Sequence, residues 1–181
     1  TLQKRKNRLK KIKTKSIAMA LQKKYRFLFF LSMLAIGSCM SDAEYTDFRT
    51  VAKTGLEEPV VFELNNALDT KKPNNLYLYL RNDNSYAFTN IFLICTLKAG
   101  DQLVVQDTLE YALAAPDGTW LGTGFTEVKE SKLWWKNGLE LPKERPLVIE
   151  IQQAMRTNGD PQRVQALEGI LSVGIGIEAQ E

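Results

Sequence analysis

The sequence predicts an all-β fold, an antiparallel β-sandwich of jelly-roll type, and three observations predict it. Apolar and polar side chains alternate with period two in run after run. The runs are short, about seven to nine of them, and recur roughly every 8–12 residues with Gly, Pro, Asn or Asp between them. No sustained helical period competes with that pattern.

The first elements precede the strands. Residues 1–18 are mostly Lys, Arg and polar and come before the first methionine, Met19. They are expected to be an upstream extension foreign to the protein in the cell. Lys23, Lys24 and Arg26 then lead into an apolar run from Phe27 to Gly37, well short of the roughly 20 residues that cross a bilayer as a helix. A basic flank, a short apolar run and small residues make residues 19–38 a secretory signal. A core helix would need a polar face, and Phe27 to Leu31 offer none. Ile36, Gly37 and Ser38 before Cys39 resemble the lipobox of bacterial lipoproteins. That resemblance implies cleavage before Cys39 and acyl chains on its sulfur and new amino group. Several chains anchor firmly where one holds marginally.

Removing the leader reverses the charge. Residues 1–38 hold 11 of the 24 Lys and Arg and no acidic residue, so residues 39–181 carry 13 positive against 21 negative charges, a net of −8. DNA or RNA binding needs a basic surface on the folded part, so no nucleic-acid partner is expected, and a basic arm within residues 1–18 would be lost on cleavage. Ser41, Asp42, Ala43 and Glu44 resemble the acidic signal that exports some lipoproteins to the cell surface. This leaves the periplasmic and outer faces of the outer membrane both open. Residues 39–58, polar with Gly55, Glu57 and Glu58, read as a tether, and residues 59–181 as one sandwich domain.

Within that domain each strand has its own reason. Val60, Phe62 and Leu64 alternate with Val61, Glu63 and Asn65. In "NNLYLYLRND" Leu76, Leu78 and Leu80 face one way, and Tyr77, Tyr79 and Arg81 the other. "NIFLICTL", from Asn90 to Leu97, is apolar on both faces, as in a strand covered twice. Ala99, Gly100 and Asp101 turn the chain into "LVVQDTLEYAL", and "PDG" at 116–118 closes the next turn. "WLGTGF" reads as a strand bent or bulged at Gly122 and Gly124. Residues 126–136 fit no period and allow a short helix. "PLVIEIQQAM" sets Leu147, Ile149 and Ile151 on one face, and "LEGILSVGIGIE" ends the fold with Ile170, Val173, Ile175 and Ile177, its glycines allowing a twist.

The chemistry is mainly one of exclusion. There is no histidine, so the Ser-His-Asp triad, the commonest general base and His-ligated metals are absent. With Cys39 acylated, Cys95 is the one free thiol, and it lies in the most apolar strand, where a thiolate is disfavoured. Asp107 and Glu110 could be paired as acid and base, but residues three apart on a strand point to opposite faces. No catalytic residue, cofactor or metal is expected. Trp120 reads as core. Adjacent Trp134 and Trp135 cannot both face inward on extended backbone, so they mark a candidate contact surface, for a protein or for a sugar ring.

Several stretches together carry a family resemblance: "YLRNDNSYAFTNIFL", "DTLEYALAAPDGTWLGTGF", "IQQAMR" and "LEGILSVGIGIE", in order over roughly residues 60–178. They resemble the gliding motility lipoprotein GldH family. The resemblance implies an outer-membrane lipoprotein, acylated at Cys39. It would act as a non-catalytic structural or assembly component of the gliding motility apparatus and the protein secretion linked to it, with other envelope proteins as partners. The matching positions here are Asp107, Trp120, Gly122, Met155, Arg156 and Gly169. Arg81 and Arg156 are expected in structural ion pairs with Asp107 or Glu110. The family pattern differs in having Glu where Gln152 or Gln153 stands, Asp where Ser172 stands, and a shorter segment than "TNGDPQRVQ". The alternative function is a carbohydrate-binding surface lipoprotein using exposed tryptophan.

Overall fold

In the computed structural model, which describes residues 43–65, 72–157, 162 and 164–180, the alternating runs become eight strands. These are β1 (Ala43–Thr50), β2 (Val60–Leu64), β3 (Asn74–Asn82), β4 (Asn90–Ala99), β5 (Gln102–Ala112), β6 (Lys129–Leu139), β7 (Leu147–Gln153) and β8 (Ile170–Ala179). No helix occurs among the described residues. Cys39 and the residues expected to form its leader lie outside them.

The pairing is nested and antiparallel: β1 with β8, β2 with β7, β3 with β6, β4 with β5. Contacts of β8 with β3 and of β7 with β4 join these pairs into two four-stranded sheets, β1-β8-β3-β6 and β2-β7-β4-β5. Successive strands switch sheets at every connection except the tight β4–β5 turn. That is the jelly roll, two Greek keys closed on one core. Phe62, Leu78, Leu93, Ile149, Val173 and Ile175 are among its fully buried side chains. Each sits at an alternate position of its strand, so the period-two pattern is what fills the space between the sheets.

Four local expectations change. The segment read as a tether contains β1, hydrogen-bonded to β8 from Ala43 to Thr50, and Leu56, which is buried and bridged to Leu167. "WLGTGF" is not a strand. It makes two isolated bridges, Ala114 with Trp120 and Thr123 with Glu130. Residues 126–136 hold no helix, since β6 begins at Lys129. Finally, β4 is central in its sheet but covered once: Ile91, Leu93, Cys95 and Leu97 are buried, while Phe92 and Ile94 on its other face are half-buried.

The open side of the sandwich, between edge strands β5 and β6, is closed by Asp107 and Tyr111. A register shift leaves Trp135 without a partner on β3, a β-bulge that aims consecutive residues toward β5. Trp135 is 5% exposed and its indole Nε1 donates to Asp107 Oδ2 at 2.9 Å. Lys136 Nζ lies 3.1 Å from Oδ1 and 3.0 Å from Oδ2 of the same carboxylate. The Tyr111 hydroxyl donates to the backbone carbonyl of Trp134. Asp107→Ala would strand a buried indole N–H. We expect it to lower unfolding free energy by about 1–3 kcal/mol in urea denaturation, and to cost measurably less in a Trp135→Phe background.

Candidate functional site

The solvent face of the β1-β8-β3-β6 sheet carries an interlocked set of aromatic and charged side chains, built on a bare lane of backbone. β8 turns Val173, Ile175 and Ile177 inward and presents Ser172, Gly174 and Gly176 outward. A Cβ at Gly174 would lie 2.6 Å from Phe48 Cδ1, and one at Gly176 would lie 2.7 Å from Tyr79 Cε2. The missing side chains let rings from β1 and β3 fold over β8 and meet: Phe48 and Tyr79 have centroids 5.4 Å apart. This close approach is what glycine within a strand provides.

Charges complete the lattice. Arg81 donates from Nε to Glu130 Oε2 at 2.7 Å while its guanidinium carbon stands 4.4 Å above the Phe48 ring. Lys132 reaches across β3 from β6, with Nζ 3.9 Å from the Tyr77 ring centre and 2.6 Å from Glu178 Oε1 on β8. Trp134 stands edge-on to Tyr77 with centroids 4.8 Å apart and is 47% exposed. Burial would lower the Lys132 ammonium, but Glu178 and the flanking tyrosines outweigh it and the net shift is upward. Burial, followed by the Glu178 carboxylate, holds the Tyr77 phenol above its ordinary range. Each exposed ion pair is worth about 0–1 kcal/mol and each exposed cation–π contact about 0.5–1 kcal/mol. The lattice therefore orders a surface more than it holds the fold.

The residues singled out from sequence fall as follows. Trp134 is on this face and Trp135 is in the core, which leaves a sugar-stacking reading one indole. Arg81 is ion-paired, with Glu130 and not with Asp107, which lies on the other sheet and pairs with Lys136. Glu110 accepts from Asn90 Nδ2 at 2.7 Å. Arg156 is exposed and ion-pairs with neither Asp107 nor Glu110. Trp120 is partly buried against the core, with Nε1 donating to Asn84 Oδ1 at 3.1 Å. Gln153 is buried, donates to the Val164 carbonyl at 2.6 Å and accepts from Met155 N at 2.9 Å. An ionised Glu there could not donate. The sequence reading missed Phe48, Lys132, Glu130 and Glu178. Their available signal was "VGIGIE", whose period-two glycines mark one face stripped of side chains.

Cys95 is fully buried, and burial, with Asp107 behind it, pushes its thiol up from 9.0 to about 12. Burial likewise raises the Tyr86 and Tyr111 phenols. Among the described residues no three His, Cys, Asp or Glu side chains converge on a metal position.

The class that the fold defines is a jelly-roll domain with an ordered side-chain lattice on one broad face. The sequence model of the GldH lipoprotein family matches residues 45–177, and the chain belongs to that family. It is 39% identical over 155 residues to a gliding motility lipoprotein GldH homolog of Christiangramia forsetii, covering 86% of this chain and 95% of that one. To the gliding motility lipoprotein GldH of Flavobacterium johnsoniae it is 37% identical over 155 residues, covering 85% and 96%. Among solved structures, infectious bursal disease virus, Gx strain, aligns at TM-score 0.29 and 11% identity over 76% of this chain and 33% of the other. The subviral particle of its VP2 aligns at 0.22 and 13%, over 80% and 44%. Likeness that slight carries no argument.

Two outcomes are expected. Gly176→Val should drive a side chain into Tyr79 and destabilise by about 1–3 kcal/mol despite the high strand propensity of valine, read by thermal melting. Because Cys95, Tyr86 and Tyr111 hold their protons more tightly folded than unfolded, the stability they lend is intact below pH 9 and for Cys95 is lost between 9.0 and about 12. Urea midpoints should fall through that range, and less steeply in Cys95→Ala.

Proposed function

We propose that the chain is a membrane-anchored lipoprotein, acylated at Cys39 after removal of residues 1–38, that serves as a non-catalytic assembly component of the gliding motility and associated secretion machinery at the outer membrane. The observation that carries this reading is the 39% and 37% identity, over 155 residues, to two proteins named as gliding motility lipoproteins. The position of β1 supports the anchoring geometry. Only residues 40–42 separate Cys39 from Ala43, so a fully extended chain lets the domain stand no more than about 14 Å from the acylated sulfur. A domain held that close meets neighbours in the membrane plane with its sides. The lattice around Trp134 is the side we assign to envelope partners, since aromatic and Arg anchors dominate protein interfaces.

The test separates anchor from face. Cys39→Ala should move the protein from the membrane pellet to the soluble fraction and abolish its cellular role. Trp134→Ala should keep membrane retention and the melting temperature while reducing recovery of envelope partners after crosslinking. Retention of Cys39→Ala in membranes would overturn the anchor.

A further inference from the structure

β1 is an edge of its sheet: among the described residues β8 lies on one side of it and no strand on the other. Val51 N donates to Leu171 O at 2.9 Å, and an unbroken register runs from Tyr45 opposite Ile177 to Thr50 opposite Ser172. Hydrogen-bonded pairs alternate along an antiparallel ladder, so Tyr45, Asp47 and Arg49 bond β8 while the backbone groups of Thr46, Phe48 and Thr50 point off the sheet. Such a row is a template on which another strand can pair.

One position in that row is already taken. Phe48 N–H donates to Asp47 Oδ1 at 2.8 Å, and the Phe48 carbonyl accepts from Arg49 Nη1 at 3.3 Å. The two side chains that do this are joined to each other, with Arg49 Nη1 2.6 Å from Asp47 Oδ2. They are also tied down. The Tyr45 hydroxyl donates to Asp47 Oδ2 at 3.2 Å, and the Arg49 guanidinium carbon stands 5.1 Å from the centre of the Phe62 ring on β2.

Placement adds a second barrier. Asp47 and Arg49 stand opposite Ile175 and Val173, fully buried residues of the inward face, so both charges lie on the core side of β1 at the rim of the sandwich. Their side chains keep 27% and 46% of their area in water. A strand laid against β1 would displace the bonds to Phe48 and strip much of that hydration, and withdrawing an ion pair from water is costly. Inward-pointing charge at a sheet edge discourages pairing with another chain. The opposite edge of the same sheet is closed by other means: Thr123 and Glu130 exchange both backbone hydrogen bonds, and the Tyr111 hydroxyl takes the Trp134 carbonyl.

We propose that Asp47 and Arg49 are an edge guard that closes β1 to pairing with the β1 of a second copy of this chain. The guard does not depend on an anchor at Cys39. Sedimentation velocity of the full chain in detergent micelles tests it, with Asp47→Val plus Arg49→Val against the unsubstituted chain. The double variant should self-associate about tenfold more tightly, once the charged rim and the bonds to Phe48 are gone. Thr46→Pro added to it should restore the original value, because that proline deletes an N–H pointing off the sheet and leaves the β1–β8 ladder whole. Asp47→Val alone, with Arg49 still over Phe62, should associate roughly threefold more tightly. Melting temperature should change little in any of them, since an exposed ion pair contributes little to stability. Unchanged association in both Val variants, or association that survives Thr46→Pro, would overturn the proposal. So would loss of the folding transition in both, because the pair would then hold the domain together and not close its edge.

Discussion

The two faces of β8 set the terms for everything built around them. Inward, Val173, Ile175 and Ile177 are fully buried and fill the space between the sheets. Outward, Gly174 and Gly176 leave room for Phe48 and Tyr79 to close over the strand. A side chain at either glycine would push β1 and β3 rings apart on one surface while the inward face still demanded the same register. Because β8 pairs with β1 as well as β3, the last strand also secures the first, and the entry point of the chain is fixed at one end of the sandwich.

Magnitudes separate what holds the fold from what equips the surface. Fully burying a Leu, Ile or Phe is worth about 1.5–3 kcal/mol, and the core contains many such residues from all strands but β1 and β5. The outer lattice consists of exposed ion pairs and ring contacts each worth about a kcal/mol or less. Its members can therefore be replaced without unfolding the domain. Asp107 is the exception among the charged residues, since it satisfies a buried indole and joins edge strands of different sheets. A structural reason is thus enough for an acidic residue there, and no chemistry need be attached to it.

Legibility followed how much of each strand's environment its own residues encode. β3, β7 and β8 are central in their sheets or face the core along their length, so their alternation could be read directly. β1 is an edge strand whose apolar residues divide between faces: Phe48 lies outward over Gly174, while Tyr45 and Arg49 sit at the rim, and Arg49 stands 5.1 Å over the Phe62 ring. That mixture reads as polar tether. β6 hid because the bulge at Trp135 breaks its alternation where the sequence is most distinctive. Arg81 pairs with Glu130 and not with Asp107 for the same reason: Glu130 lies opposite it in register on β6, a strand whose own residues do not announce it.

Jelly-roll closure also makes β6 serve two surfaces at once. Its residues Lys132 and Trp134 stand in the outer lattice beside β3, and its first residues brace the preceding segment through the Thr123–Glu130 backbone pair and the Lys129–Gly124 hydrogen bond. Further along, the bulge at Trp135 turns the same strand toward β5 and the Asp107 carboxylate. One strand therefore carries part of the outer lattice on one face and closes the open side of the sandwich with the other, so a slip in its register would undo both together.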